Sequence, residues 1–416
     1  MKRIPRVEYM EWLNRWRDKD VIKIISGVRR CGKSTLLSML QENLLAEGIA
    51  ADRIISINFE DVANERLTDY HKLHAYIADR LSSDTMTYVF LDEVQHVEQF
   101  EKVLDSLYIK PYCDMYVTGS NAYMLSGELA TLLTGRFVEL RMLPLSFKEF
   151  CLGAYDLSAD DASWGLFARS ASRRDDAFSE FLQIGAFPYV LDLLDDYKNT
   201  KEYLHDVYQS ILYKDIVARM KVNDAALLER VGKTLASEVG SLVSVNKITN
   251  TLRSAGRTVD QKTVDKYISG FVESMLFYEA LRWDVRGRKL LSRISKYYIV
   301  DTGLRRNLVE GSSSDIGHLF ENVIYLELVR RGGNVYVGSV DDGEIDFVVV
   351  RDDEICYYQV AVSVLDSQVF DRELAAFKKA KDNYPRVLLT LDRILPTANI
   401  DGVRVCNAVD WLLSID

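Results

Sequence analysis

No stretch of this 416-residue sequence is apolar for the roughly 20 residues that a membrane-crossing helix needs. Its longest uncharged apolar runs are of strand length, and the basic start, residues 1–6, leads into no signal-peptide core. A cytoplasmic location without membrane contact is therefore expected. Cysteine is scarce: Cys31, Cys113, Cys151, Cys356 and Cys406 form no Cys-x-x-Cys pair, which fits a reducing compartment and argues against structural zinc. Positive charge is in deficit, with 52 Lys and Arg against 62 Asp and Glu and a net charge of -10. The chain as a whole is no polycation, so any contact with nucleic acid has to come from local clustering. Disorder is not indicated either, since 48% of residues are hydrophobic and 27% charged. The length implies roughly two to four domains.

What is present concentrates near the amino terminus. Residues 27–35 read Gly27-Val28-Arg29-Arg30-Cys31-Gly32-Lys33-Ser34-Thr35. They follow an apolar run at 21–25 that predicts a buried parallel strand. They precede Leu36, Leu37, Met39, Leu40, Leu44 and Leu45, which recur at helical spacing. A phosphate chain is held by inward-pointing backbone N–H groups and by the positive end of a helix, so strand, glycine turn and helix must come in that order. Gly27 and Gly32 let the backbone approach the oxygens. Lys33 is then expected at the β- and γ-phosphates, Ser34 with its hydroxyl on Mg²⁺, and Thr35 at a further phosphate contact. This is a full Walker A pattern in its required context, with ATP and Mg²⁺ as the expected cofactors. Cys31 has two readings: a thiol acidified by surrounding amides, or a small residue that fits the loop.

A second strand is expected at 54–59, with a helix around 70–81, and a third at 88–91 that ends in Asp92 and Glu93. Asp92 holds Mg²⁺ through its water shell in this reading, and Glu93 polarises the attacking water as general base. A fourth strand, 115–118, runs into Gly119-Ser120-Asn121. Asn121 either positions the water or caps a helix over 122–133. Arg136, before a fifth strand at 137–142, is a candidate finger supplied to a neighbouring site, which makes a homo-oligomer an expectation; a surface arginine is the plainer reading. Parallel strands alternating with helices predict a doubly wound α/β sheet with the phosphate site at the carboxyl ends of the strands. This core spans 1–145, opens with a short helix within 1–20 that lies on it, and ends at Pro144.

Residues 146–222 predict a helical lid, broken by a polar stretch at 156–176 and by Gly185-Ala186-Phe187-Pro188. Over 223–310, helices near 225–239, 244–254 and 260–274 and strands at 276–283 and 290–300 follow the plan of a winged helix. The hairpin carries Arg282, Arg286, Arg288, Lys289, Arg293 and Lys296 against the single acid Asp284. Phosphate contact suits such a cluster, so DNA is the expected partner, with Arg286, Arg288, Lys289 and Arg293 as contacts. Docking of a protein is the alternative.

Beyond the linker-like Gly311-Ser312-Ser313-Ser314, the segment 311–416 predicts a helix at 317–331 bearing Glu321. Strands at 344–350 and 355–362 follow, joined by Asp352-Asp353. With two central residues in that turn, partner numbers sum to 705, so Asp346 faces Gln359 and Glu344 faces Ala361. A helix glutamate, a strand aspartate and then an acid and a lysine two apart is the layout of restriction-endonuclease-like nucleases. Here Gln359 and Ala361 replace the last two. Glu321, Asp346 and Gln359 thus form a degenerate site expected to lack nuclease chemistry, unless Lys378 or Lys379 supplies the missing ammonium.

The likeness rests on residues 27–35, Leu91-Asp92-Glu93-Val94-Gln95, Thr118-Gly119-Ser120-Asn121, Gly135-Arg136, Gly185-Ala186-Phe187-Pro188 and Glu344-Ile345-Asp346-Phe347. On them the chain resembles a family of prokaryotic AAA-type P-loop ATPases whose C-terminal region carries a domain of unknown function similar to the restriction-endonuclease fold. The spare strand between the Walker elements and the glutamate after Asp92 are similar to the additional-strand, catalytic-glutamate branch. The resemblance implies ATP hydrolysis with DNA engagement. Two functions are expected from it: a DNA-binding ATPase that remodels DNA or a branched junction, and a nucleotide-switched signalling or defence ATPase whose C-terminal modules bind a protein.

Overall fold

A computed structural model describes residues 2–120, 132–158, 162–309, 315–341, 343–393 and 398–415. Asn121, residues 122–131 of the helix expected over 122–133, the linker at 311–314 and the side chain of Arg293 lie outside the described residues. The chain divides into two compact units, the first of which holds residues 5–144 and the second residues 145–272 and 276–416.

The first unit is built on five strands: β1 (Ile22–Ser26), β2 (Ile54–Asn58), β3 (Thr87–Asp92), β4 (Cys113–Gly119) and β5 (Phe137–Arg141). They are all parallel and lie in the order β2-β3-β4-β1-β5. Parallel strands covered on both faces read as unbroken apolar runs, and β1 and β3 are buried at every position. On one face Ile22, Ile24, Val89, Leu91 and Val117 pack with Leu73, Ile77, Val103 and Leu104 of the helices Tyr70–Ala78 and Phe100–Tyr108. Elsewhere in the sheet Phe90 and Tyr116 stack at 4.9 Å, beside the buried ammonium of Lys23. Lys23 pairs with Asp114, which also accepts from the Tyr116 hydroxyl at 2.9 Å and from Asp18 N at 3.0 Å, so this buried charge is fully partnered. The helix Lys33–Ala46 starts directly after Gly32, whose φ of +105° only glycine adopts freely.

The second unit opens with the helices Phe147–Ala154, Ala162–Arg169, Ala171–Ile184 and Tyr197–Ser210. The polar stretch at 156–176, expected to break the helices, is largely helical. Behind its charged residues Ala177, Phe178, Phe181, Leu182 and Ile184 form one buried stripe, and Ser170 caps it by accepting from Arg173 N. The Gly185-Ala186-Phe187-Pro188 turn wraps the buried carboxylate of Asp301, which accepts from Ala186 N at 2.5 Å and Leu304 N at 2.7 Å. A Cβ at Gly185, where φ is +86°, would strike that carboxylate.

Next come the helices Ala225–Ser237, Val245–Ser254 and Gln261–Glu273, the short β6 (Leu242–Val243), and the hairpin of β7 (Phe277–Asp284) and β8 (Lys289–Ile299). The helix Ile316–Arg330 leads into β9 (Asn334–Val340), β10 (Gly343–Arg351) and β11 (Glu354–Ala361). After the helix Ser367–Lys378, β12 (Arg386–Thr390), β13 (Ala398–Ile400), β14 (Val403–Asn407) and the helix Ala408–Leu413 complete the unit. The β10–β11 register runs from Phe347 opposite Tyr358 to Arg351 opposite Glu354, each pair summing to 705. Asp352 and Asp353 have φ of +47° and +67°, as a two-residue type I′ turn requires.

All nine of these strands form one sheet, in the order β13-β14-β12-β11-β10-β9-β7-β8-β6. The strands expected to belong to separate domains, 223–310 and 311–416, are joined by parallel pairing of β7 with β9: Arg282 with Val337, Trp283 with Gly338, Asp284 with Ser339. Among the described residues no helix is long and apolar enough to cross a membrane.

Candidate active site

The phosphate loop connects the carboxyl end of β1 to the helix Lys33–Ala46. Gly27 has no room for a side chain, because a Cβ there would run into the Met142 carbonyl oxygen. Arg6 fastens the loop from behind, donating to the carbonyls of Leu143 at 2.7 Å and Cys31 at 3.3 Å. Lys33 is 4% exposed, and its Nζ lies 3.1 Å from Gly27 O, 3.4 Å from Val28 O and 3.4 Å from Glu93 Oε1. Burial opposes its charge, but Cys31, Glu93 and Asp92 outweigh that and hold its pKa above the ordinary lysine value.

The acids arrive from the end of β3. Asp92 accepts from the Thr118 hydroxyl at 2.5 Å, and the Ser34 hydroxyl also bonds to it. Burial raises its pKa, against these two donors. Glu93 takes a left-handed backbone, φ 57° and ψ 50°, and its carboxylate faces Lys33. Its N–H is held by Thr118 Oγ1 at 2.9 Å, and its Oε2 accepts from Gln95 Nε2 at 2.5 Å. Burial pushes Glu93 up, yet Lys33, Gln95 and Arg29 prevail and keep it below the usual glutamate range. Arg29 itself pairs with Glu60 at 2.7 Å.

Lys33, Ser34, Asp92 and Glu93 thus converge with the glycine turn, and Thr35 lies in the same first helical turn as Ser34. Ser34 and Asp92 supply a hydroxyl and a carboxylate, which are the hard oxygens that Mg²⁺ takes. The structure also bears on Cys31 and Arg136. The Cys31 thiol is not acidified: it is fully buried, and burial raises its pKa despite Lys33 and Arg6. Arg136 stands at the other end of the sheet from the loop, its carbonyl accepting from Ile22 N at the start of β1. Its guanidinium pairs with Asp105 and lies 5.2 Å from the centre of the Tyr108 ring. Sequence reasoning gave Thr118 and Gln95 no role. The available signal was a polar residue inside an otherwise apolar strand for Thr118; for Gln95 it was position alone.

In the second unit, the hairpin's basic residues are partly engaged. Arg286 pairs with Asp341 at 2.5 Å, Arg282 donates to Ser339 Oγ at 2.8 Å, and Arg288 lies 5.4 Å from the Tyr384 ring centre. Arg286, Arg288 and Lys289 are nonetheless exposed.

The nuclease-like residues do come together. Gln359 Oε1 accepts from Asp346 N at 3.1 Å, and Asp346 Oδ2 accepts from Val360 N at 2.9 Å. An ammonium from another strand joins these carboxylates. Lys296, from β8, lies 2.9 Å from Glu321, 2.7 Å from Glu344 and 3.9 Å from Asp346. Tyr298 donates to Glu321 at 2.6 Å. Lys378, offered as a substitute, instead pairs with Asp401 at the surface, 3.4 Å away. Burial and the neighbouring Glu321 hold the Asp346 carboxyl well above the ordinary aspartate value.

A family model described as an AAA domain matches residues 19–151, and one described as a domain of unknown function (DUF8612) matches residues 175–315. The latter lies upstream of the segment where the resemblance set its domain of unknown function. An uncharacterized protein of Haemophilus influenzae is 39% identical over 412 residues, which are 99% of this chain and 98% of that protein. An uncharacterized protein of Methanocaldococcus jannaschii is 27% identical over 369 residues, 86% of this chain and 78% of that protein. Among solved structures, a Walker-type ATPase of Pyrococcus abyssi aligns at TM-score 0.48 and 13% identity, covering 74% of this chain and 96% of its own. The Orc1 protein of Aeropyrum pernix, in complex with DNA, aligns at TM-score 0.32 and 10% identity, covering 76% and 94%.

Proposed function

This chain belongs to one family with its Haemophilus influenzae relative and carries a P-loop ATPase domain of the AAA type, and from that premise we propose a magnesium-dependent ATPase that engages DNA. ATP hydrolysis is coupled, in this reading, to remodelling of a duplex or a branched junction. The observation that supports it most is the convergence of Lys33, Ser34, Asp92 and Glu93 on one glycine turn. The amides of 27–32 and the amino end of the helix Lys33–Ala46 cradle the phosphates, and Thr35 adds a contact. Lys33 turns its ammonium to the β- and γ-oxygens. Ser34 and Asp92 would hold Mg²⁺, whose charge offsets that of the phosphates. Glu93, ionised at neutral pH, takes a proton from the attacking water. Asn121 is assigned to positioning that water. Arg136 is about one strand length, roughly 16 Å, from its own loop, so its finger role is assigned to a second copy of the chain.

The helices of 225–273 and the β7–β8 hairpin act in this reading as a winged helix, with Arg286, Arg288, Lys289 and Arg293 on DNA phosphates; the helices of 146–222 act as a lid. Nuclease chemistry is no part of the proposal. Gln359 and Ala361 stand where an acid and a lysine are needed, and the Lys296 ammonium already binds two of the carboxylates. The second reading, a nucleotide switch that holds a protein partner, is favoured by one observation: Asp341 and Tyr384 already occupy part of the hairpin's charge. ATP turnover with and without duplex or branched DNA at low salt separates the two. A several-fold rise supports the DNA-coupled ATPase, and indifference supports the switch.

A further inference from the structure

Gln95 joins the ends of two strands that meet at the phosphate loop. Its Nε2 donates to Glu93 Oε2 at 2.5 Å, just beyond β3, and to Ser120 Oγ at 3.2 Å, just beyond β4. A single side-chain amide has two N–H donors, and both are spent on these contacts. The opposite orientation would bring its carbonyl oxygen against a carboxylate, so the charge on Glu93 fixes which way the amide points. The orientation leaves Gln95 Oε1 buried and without a hydrogen-bond partner among the described residues. The turn Val94–His96 carries the amide, and the buried Val94 anchors that turn in the core.

The two oxygens of Glu93 are divided between two holders: Oε1 faces Lys33 at 3.4 Å, and Oε2 belongs to Gln95. Lys33 also donates to two loop carbonyls. An ammonium has three donors. Each one that turns to a phosphate oxygen is withdrawn from Glu93 or from the loop, whereas Gln95 faces no such competition.

We propose that Gln95 is a positioning residue for ATP hydrolysis, holding the Glu93 carboxylate in place once Lys33 has turned to the phosphates. This rests on the ATPase reading above.

The test compares wild type with Gln95→Leu and Gln95→Glu, following ATP affinity, KM and kcat. Leucine fills the space without a donor. Glutamate is nearly isosteric and sets a like charge beside Glu93. In both variants ATP affinity and KM are expected to stay within about twofold and kcat to fall by roughly 10- to 100-fold. Unchanged kcat or lost nucleotide binding in either variant overturns the assignment. A wild type that turns over ATP beside indifferent variants sinks this proposal alone. A wild type without turnover sinks the ATPase reading and this proposal with it.

Discussion

The two units each hold a buried lysine among carboxylates, and the two lysines differ in how firmly they are committed. Lys33 and Lys296 are equally hidden, at 4% exposure each. Lys296 touches two carboxylates at 2.7 and 2.9 Å. Lys33 has one carboxylate at 3.4 Å and otherwise backbone carbonyls. The weaker set sits beside a glycine turn and a helix start, which supply donors for an anion. The stronger set sits between strands and a helix that Lys296 cross-links. In the proposed ATPase, the lysine that trades partners for phosphate is the loosely held one, and the lysine with no such task is held by formal charges. Burial alone does not distinguish them.

The sharpest way to break this contrast is at Lys33. Lys33→Ala is expected to abolish measurable nucleotide binding and turnover, while Glu93→Gln keeps binding and loses roughly 10²- to 10⁴-fold in kcat. Equilibrium nucleotide binding and steady-state turnover check both, and an unaltered Lys33→Ala protein would end the comparison. Arg136 extends it to an exposed ion pair, with 39% and 38% of the two side chains accessible. Arg136→Ala should bind ATP normally and lose about 10³-fold or more in turnover. Adding an Asp92→Asn protein, whose own site is impaired but whose Arg136 is intact, should restore part of that activity.

Lys296→Met tests the committed lysine. Removing one partner of a buried ionic set costs about 3–5 kcal/mol, read as a lower midpoint in denaturant with ATP affinity intact. The Lys296 pKa is held above its ordinary value: burial opposes the charge, and Glu321, Asp346 and Glu344 more than offset it. Its contribution is therefore complete below the ordinary lysine range and fades only as pH rises through the raised value. The deficit of the variant should be full at neutral pH and shrink only as pH rises through that raised value. The smallest effect is expected at the hairpin turn. Reversing Arg286, Arg288 and Lys289 to glutamate should weaken binding to all DNA sequences alike and cut the slope of log affinity against log salt by up to about 3. An unchanged slope would leave these side chains to Asp341 and Tyr384.

Local chemistry was legible in the sequence. Glycine spacing, an apolar strand ending in two acids and a two-residue Asp-Asp turn specify backbone conformations within a few residues, and the 705 register follows from that turn alone. What escaped was set by long-range packing. Lys296 reaches Glu344 across 48 positions of chain, and nothing in the spacing of the hairpin separates a lysine turned inward from an arginine turned out. The parallel pairing of β7 with β9 spans β8 and the helices Thr302–Leu308 and Ile316–Arg330, so it leaves no turn signature. Thr118 and Gln95 act through partners supplied by neighbouring strands, which strand order alone reveals.

The pairing of β7 with β9 has a mechanical consequence. A pull on the tip at 285–288 directed along the strands is resisted by several ladder hydrogen bonds at once, in shear, and cannot peel them one at a time. The hairpin is therefore a stiff lever set into a nine-strand plate, and whatever grips its tip moves the plate with it.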